Sequence, residues 1–213
     1  MPRVLLATFA LLATLQASAQ PAGTLAPRVR FETSAGDFVV EVDTVRAPLT
    51  AENFLRYVRD GAYDGTVFHR VIPNFVVQGG GYDDRLAARP ARARIPNESG
   101  NGLSNRRGTL GLAREESPHS GSSQFYVNLI DNAGLDPLPS RWGYAVFGRV
   151  VEGMDVIDRI AYMRTETVEN FGADVPVERP VVRRAWVVGD SAAAPAQPEA
   201  PPQAAEEQPG GDE

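Results

Sequence analysis

The sequence predicts a mainly β protein, with short antiparallel strands closed into a barrel and two helices. Two observations point there. Many short runs alternate apolar and polar residues or are rich in Val, Ile, Phe and Tyr, whereas only two stretches are patterned as helices. Closure into a barrel is the arrangement that leaves such a sheet without unpaired edges.

The elements follow in order. Residues 28–33 and 38–43 alternate apolar and polar side chains around Ser34-Ala35-Gly36-Asp37, a hairpin turn, so the fold opens antiparallel. Residues 47–61 read as a helix: Pro48 suits the first helical position, Gly61 suits the stop, and Ala51, Phe54, Leu55 and Val58 share one face. Thr66 to Gly81 reads as strand, turn, strand about Pro73-Asn74, with the three glycines 79–81 ending the second strand. Residues 82–107 show no periodicity. With six arginines (Arg85, Arg89, Arg92, Arg94, Arg106, Arg107) against Asp83, Asp84 and Glu98, they read as a solvated loop. Strands are expected at 108–113 and 123–129, a short helix at 153–160 and a closing strand at 181–188.

The flanks differ in composition from this body. An apolar run from Val4 to Leu15 follows Arg3 and precedes Ala17-Ser18-Ala19, which has the small-x-small form of a signal peptidase site. The run falls short of the ~20 residues a spanning helix needs. Residues 1–19 are therefore expected to be a cleaved leader and 20–27 a linker to a domain at 28–189, so that the mature protein is exported to the periplasm without stable membrane insertion. Residues 190–213 are a Pro/Ala-rich tail with six acidic and no basic residues, expected to be disordered. Most of the net charge of −6 belongs to that tail. The near-neutral body argues against nucleic acid as a partner. Cysteine is absent, so neither a disulfide nor a cysteine-linked lipid is available. One domain and a monomer are expected.

Arg70 and Gln78 stand out inside the 66–81 hairpin. A cation and an amide among Val67, Phe68, Val71, Ile72, Phe75, Val76 and Val77 either face water on an ordinary hairpin or form the wall of a pocket. The motif Phe68-His69-Arg70-Val71-Ile72-Pro73-Asn74-Phe75 with Gln78-Gly79-Gly80 resembles the signature of the cyclophilin-type peptidyl-prolyl cis/trans isomerases. The resemblance extends through the 47–61 helix, Asn97 to Thr109, Ser122 to Val127 and Tyr144 to Val150, and so covers residues 28–189.

The resemblance implies an eight-stranded barrel with a helix at each end, and an isomerase acting on X-Pro bonds of unfolded or extended polypeptides. It implies no cofactor and no metal. It makes Arg70 the catalytic donor, oriented by Gln78, with the proline ring among Phe75, Val76, Tyr126 and Leu135. Gln124, Ala113 and the backbone of Arg114 hold the peptide, and Tyr144 stands at the rim where many members carry His. Gly134 precedes Leu135-Asp136 where cyclosporin-binding members carry Trp, and Trp142 lies in a nearby loop.

The chemistry suits an arginine. Rotation about an X-Pro bond must break amide resonance, against about 18–20 kcal/mol. A guanidinium that donates to the imide nitrogen gains strength only as the nitrogen lone pair localises, and so favours the twisted state over either planar one. The alternative in another functional class is a proline-peptide-binding chaperone module with little turnover. Other chemistries have little support. His69 and His119 are too few for a structural zinc site without cysteine, and His69 reads as a structural residue of the barrel wall. Ser117, Ser120 and Ser122 near His119 lack nucleophile-elbow spacing, and Glu115-Glu116 reads as a solvated pair.

Overall fold

The computed structural model describes residues 26–190. The expected leader, most of the linker and the tail beyond Asp190 lie outside the described residues.

The strands β1 (Arg28–Thr33) and β2 (Gly36–Val42) form the opening hairpin, followed by α1 (Pro48–Arg59). Then come β3 (Thr66–Ile72), β4 (Val76–Asp83), β5 (Thr109–Leu112) and β6 (Phe125–Asn128). A one-turn 3₁₀ helix (Ala133–Leu135), β7 (Val146–Glu152) and α2 (Met154–Ala161) follow. The chain closes with β8 (Thr165–Val168), β9 (Gly172–Pro176) and β10 (Val182–Val187).

Eight of these strands make one antiparallel sheet in the order β10-β1-β2-β7-β5-β6-β4-β3. Its two edges nearly meet. The Phe68 N–H donates to the Pro180 carbonyl at 3.0 Å and the Gly65 N–H to the Val182 carbonyl at 2.8 Å, so few backbone groups of the outer strands are left to a partner chain. Alternation sets the inside: Val29, Phe31 and Thr33 of β1 are buried while the residues between them are not. Phe31 stacks on Phe38 with ring centroids 4.8 Å apart, and Phe54 of α1 reaches in against Phe147 at 5.0 Å and Phe125 at 5.6 Å.

The helices lie at opposite ends. α2 lies over the β1–β2 turn, where a Cβ on Gly36 would touch Val156 and Arg159. α1 lies at the end where β1 begins, and its Arg59 is 3.9 Å from Asp190, just past β10.

Three features depart from the expectations. The glycines do not end β4, which runs through them to Asp83. Rings pack onto the bare backbone there: a Cβ on Gly79 would stand 2.8 Å from Phe68, and one on Gly80 would stand 2.8 Å from Tyr63. Residues 82–107 hold little regular structure yet are pinned rather than merely solvated. The Glu98 carboxylate accepts from the Leu49 and Thr50 N–H groups at 3.1 and 2.8 Å, capping α1, while Arg92 pairs with Asp60 and Arg94 with Glu115. Finally, a hairpin (β8–β9) outside the barrel occupies residues for which no element was expected. Its strands are short and mostly not buried, so they carry no alternation to read.

Candidate active site

Adjacent strands line up the central residues. Arg70 on β3 pairs with Gln78 on β4, Gln78 with Tyr126 on β6, and Tyr126 with Gly111 on β5, which makes one row across four strands. The β3–β4 turn, with Asn74 in the left-handed region at φ 59°, delivers Phe75 beside that row. The Phe75 carbonyl accepts from the Leu129 N–H and from the Asn132 side chain, both at 2.9 Å, which fixes the turn against β6.

Nine of the ten residues expected at the site line a single groove of about 300 Å³: Arg70, Phe75, Val76, Gln78, Ala113, Arg114, Tyr126, Leu135 and Tyr144. The tenth, Gln124, does not line it. Its Oε1 accepts from Gln78 Nε2 at 2.9 Å, so it holds the amide that faces Arg70. Gln78 Oε1 in turn accepts from Arg70 Nη1 at 3.4 Å, a long contact. Val76 and Tyr126 are buried, Phe75 and Leu135 half-buried, giving the groove an apolar floor beside its cation.

The far wall is built differently from what sequence suggested. The Arg114 side chain clamps two loops, donating from Nε to the Gly143 carbonyl at 3.2 Å, from Nη2 to that of Trp142 at 3.2 Å and from Nη1 to those of Glu115 and Glu116 at 2.9 and 3.0 Å. Its guanidinium lies 4.4 Å from the centre of the Tyr144 ring, a cation–π contact.

Two further residues belong to the site and were not singled out. Tyr126 donates its hydroxyl to Asn105 Oδ1 at 2.6 Å, and Asn105 Nδ2 donates to Asp136 Oδ1 at 2.8 Å. Burial pushes the Tyr126 hydroxyl well above the usual tyrosine range, so it stays a neutral donor. Asn105 lies in an irregular loop and is 1 % exposed; its only sequence signal is a polar residue whose burial cannot be read without the fold.

Gly134 opens onto free space, and Trp142 is about half exposed, its ring 5.1 Å from that of His119. Trp142 lines a neighbouring cavity with Leu138 and Pro139 rather than the groove. His69 is buried against Tyr82, ring centroids 4.7 Å apart, with Nδ1 lacking a hydrogen-bond partner. His119 Nδ1 accepts from the Asn97 N–H at 3.0 Å, and the Ser120 hydroxyl donates to the Ser117 carbonyl at 2.6 Å.

Comparison with known proteins places this geometry. The family model described as cyclophilin type peptidyl-prolyl cis-trans isomerase/CLD matches residues 28–187. Peptidyl-prolyl cis-trans isomerase cyp18 of Streptomyces antibioticus is 47% identical over 164 residues, covering 76% of this chain and 98% of the relative. Peptidyl-prolyl cis-trans isomerase A of Dickeya dadantii is 41% identical over 186 residues, covering 87% of this chain and 97% of the relative. The crystal structure of a cyclophilin type isomerase from Cryptosporidium parvum superposes with a TM-score of 0.60, at 24% identity, over 76% of this chain and 97% of that one, and shows the shared fold. Motif, barrel and relatives agree that the chain belongs to the cyclophilin-type peptidyl-prolyl cis-trans isomerases, and peptidyl-prolyl isomerisation is its activity.

Proposed function

We propose that this isomerase acts on X-Pro bonds of unfolded or extended polypeptides during folding in the cell envelope, as a monomer, with Arg70 as the catalytic donor. The observation that carries the assignment of roles is the meeting of Arg70 and Gln78 with the apolar floor of Phe75, Val76, Tyr126 and Leu135 in one groove. The proline ring sits on that floor and the guanidinium donates to the imide nitrogen as it becomes pyramidal. Ala113, Gln124 and the backbone of Arg114 hold the flanking chain.

One charge-assisted hydrogen bond contributes roughly 1.5–3 kcal/mol, whereas a million-fold acceleration needs about 8 kcal/mol. Arg70 therefore supplies a part. Transfer of the imide from water to the apolar floor, which favours the less polar twisted state, and immobilisation of the flanking residues supply the rest.

The test is turnover of a proline peptide in a protease-coupled assay. Arg70→Ala is expected to lose about a hundredfold or more, with an unchanged melting temperature, since the side chain is 39% exposed. Near-wild-type turnover in the folded variant would sink the mechanism. The cell-envelope setting rests on the apolar leader pattern of residues 1–19; N-terminal sequencing of exported protein should begin at Gln20, and a retained leader would contradict it. Light scattering of the purified protein should return the mass of a monomer.

A further inference from the structure

Arg70 has a second neighbour that the site described so far does not use. Asp174 on β9 places its Oδ2 3.8 Å from Arg70 Nε, on a different nitrogen from the Nη1 that approaches Gln78. Asp174 belongs to the β8–β9 hairpin outside the barrel, and β9 lies along β3, the strand that carries Arg70.

The hairpin is anchored at several points. Phe171 in its turn packs on Tyr82 with ring centroids 4.9 Å apart and on His69 at 6.3 Å, and Val175 is fully buried. Below it, Arg179 Nη2 lies 3.5 Å from Glu166 Oε1 while Nη1 donates to the Asp84 carbonyl at 3.3 Å. The carboxylate is therefore presented from an element with its own packing.

We propose that Asp174 is a positioning residue for Arg70, the inference resting on the role assigned to Arg70 above. Both side chains are about two-fifths exposed, 39% and 41%, and an ion pair in such a setting adds little to stability. What it can do is restrict a long side chain with many rotamers. The carboxylate draws the Nε edge toward β9 and Gln78 takes Nη1, so the guanidinium plane is held from two sides and its remaining N–H groups stay directed to the groove. Without Asp174 the long Arg70–Gln78 contact is the one restraint left.

A double-mutant cycle separates positioning from support of the fold. Asp174→Asn keeps the shape and removes the charge; its kcat is expected to fall about three- to tenfold at unchanged KM and unchanged melting temperature. Asp174→Glu should recover at least half of the lost turnover. In the Arg70→Ala background the same Asp174→Asn change should have no further effect. In ¹⁵N-labelled protein the Arg70 Nε–Hε resonance should shift and broaden in Asp174→Asn, a readout that needs no turnover. Wild-type turnover and an unmoved Arg70 resonance in Asp174→Asn, with Arg70→Ala still inactive, would overturn the inference alone. An equal loss in both backgrounds would overturn it in favour of a structural hairpin. Full turnover in Arg70→Ala would instead overturn the role of Arg70 on which it rests.

Discussion

Gly111 and Tyr126 face each other across the β5–β6 ladder, and a Cβ on Gly111 would stand 2.2 Å from the Tyr126 hydroxyl. The ring forming part of the groove floor therefore lies over bare backbone of the neighbouring strand. Gly111→Ala must push it off, and overpacking of this kind costs about 1–3 kcal/mol, or roughly 3–9 °C in melting temperature for a domain of this size. Turnover should fall as well, because the displaced ring loses its Asn105 partner and distorts the floor. Melting and coupled assays run together check this; wild-type values in both would mean the ring steps aside without cost.

Gln78 should matter less than Arg70. Its amide accepts from Arg70 at 3.4 Å and donates to Gln124 at 2.9 Å, both neutral-acceptor bonds. Such a bond contributes about 0.5–1.5 kcal/mol, so Gln78→Ala is expected to lower turnover about two- to tenfold. The two variants assayed side by side should rank in that order. A Gln78→Ala loss as large as that of Arg70→Ala would move the central role to the amide.

His69 gives the fold an acid dependence. Burial pushes it from 6.5 down to about 4, helped by the charge of Arg70 and opposed by the Val67 backbone and the Gln124 side chain. Between those values the unfolded chain takes up a proton that the folded one refuses. Stability is therefore full above pH 6.5 and falls as pH drops toward 4, at about 1.4 kcal/mol per pH unit and about 3 kcal/mol by the bottom of the window. Asp64, which burial raises, offsets part of this at the acid end. Melts from pH 7 to 4.5 should show a steep slope in wild type and a shallow one in His69→Gln; equal slopes would place the acid sensitivity elsewhere.

Gly134 should weaken cyclosporin binding relative to family members with Trp there. The missing ring would bury on the order of 200 Å², and with part of it covered by ligand the deficit is about 2–4 kcal/mol, or roughly thirty- to a thousandfold. A Cβ on Gly134 meets no atom within 4 Å, so Gly134→Trp has room and should tighten binding by that factor. Trp142 rests near His119 and lines a different cavity, so Trp142→Ala should leave binding unchanged. Tight binding by wild type that vanishes in Trp142→Ala, read by calorimetry, would show that the loop supplies the ring.

What the sequence by itself determined is whatever depends on neighbours along the chain. Alternation about Ser34 to Asp37 set β1 and β2, Pro48 and the Ala51-Phe54-Leu55-Val58 face set α1, and the Phe68 to Phe75 motif marked Arg70 and Gln78 as the misfits of a hairpin. Tertiary structure alone decided what depends on register between distant strands. Gly111 is one glycine among twenty until β5 lies beside β6, and Asn105 is a loop residue until it is buried under the Tyr126 hydroxyl. Asp174 lies more than a hundred residues from Arg70 and on a hairpin with almost no buried face, so no local pattern could join them. The pair meets because the hairpin packs its buried Val175 and its Phe171 against the barrel, a long-range choice of burial that the chain makes only once the barrel exists.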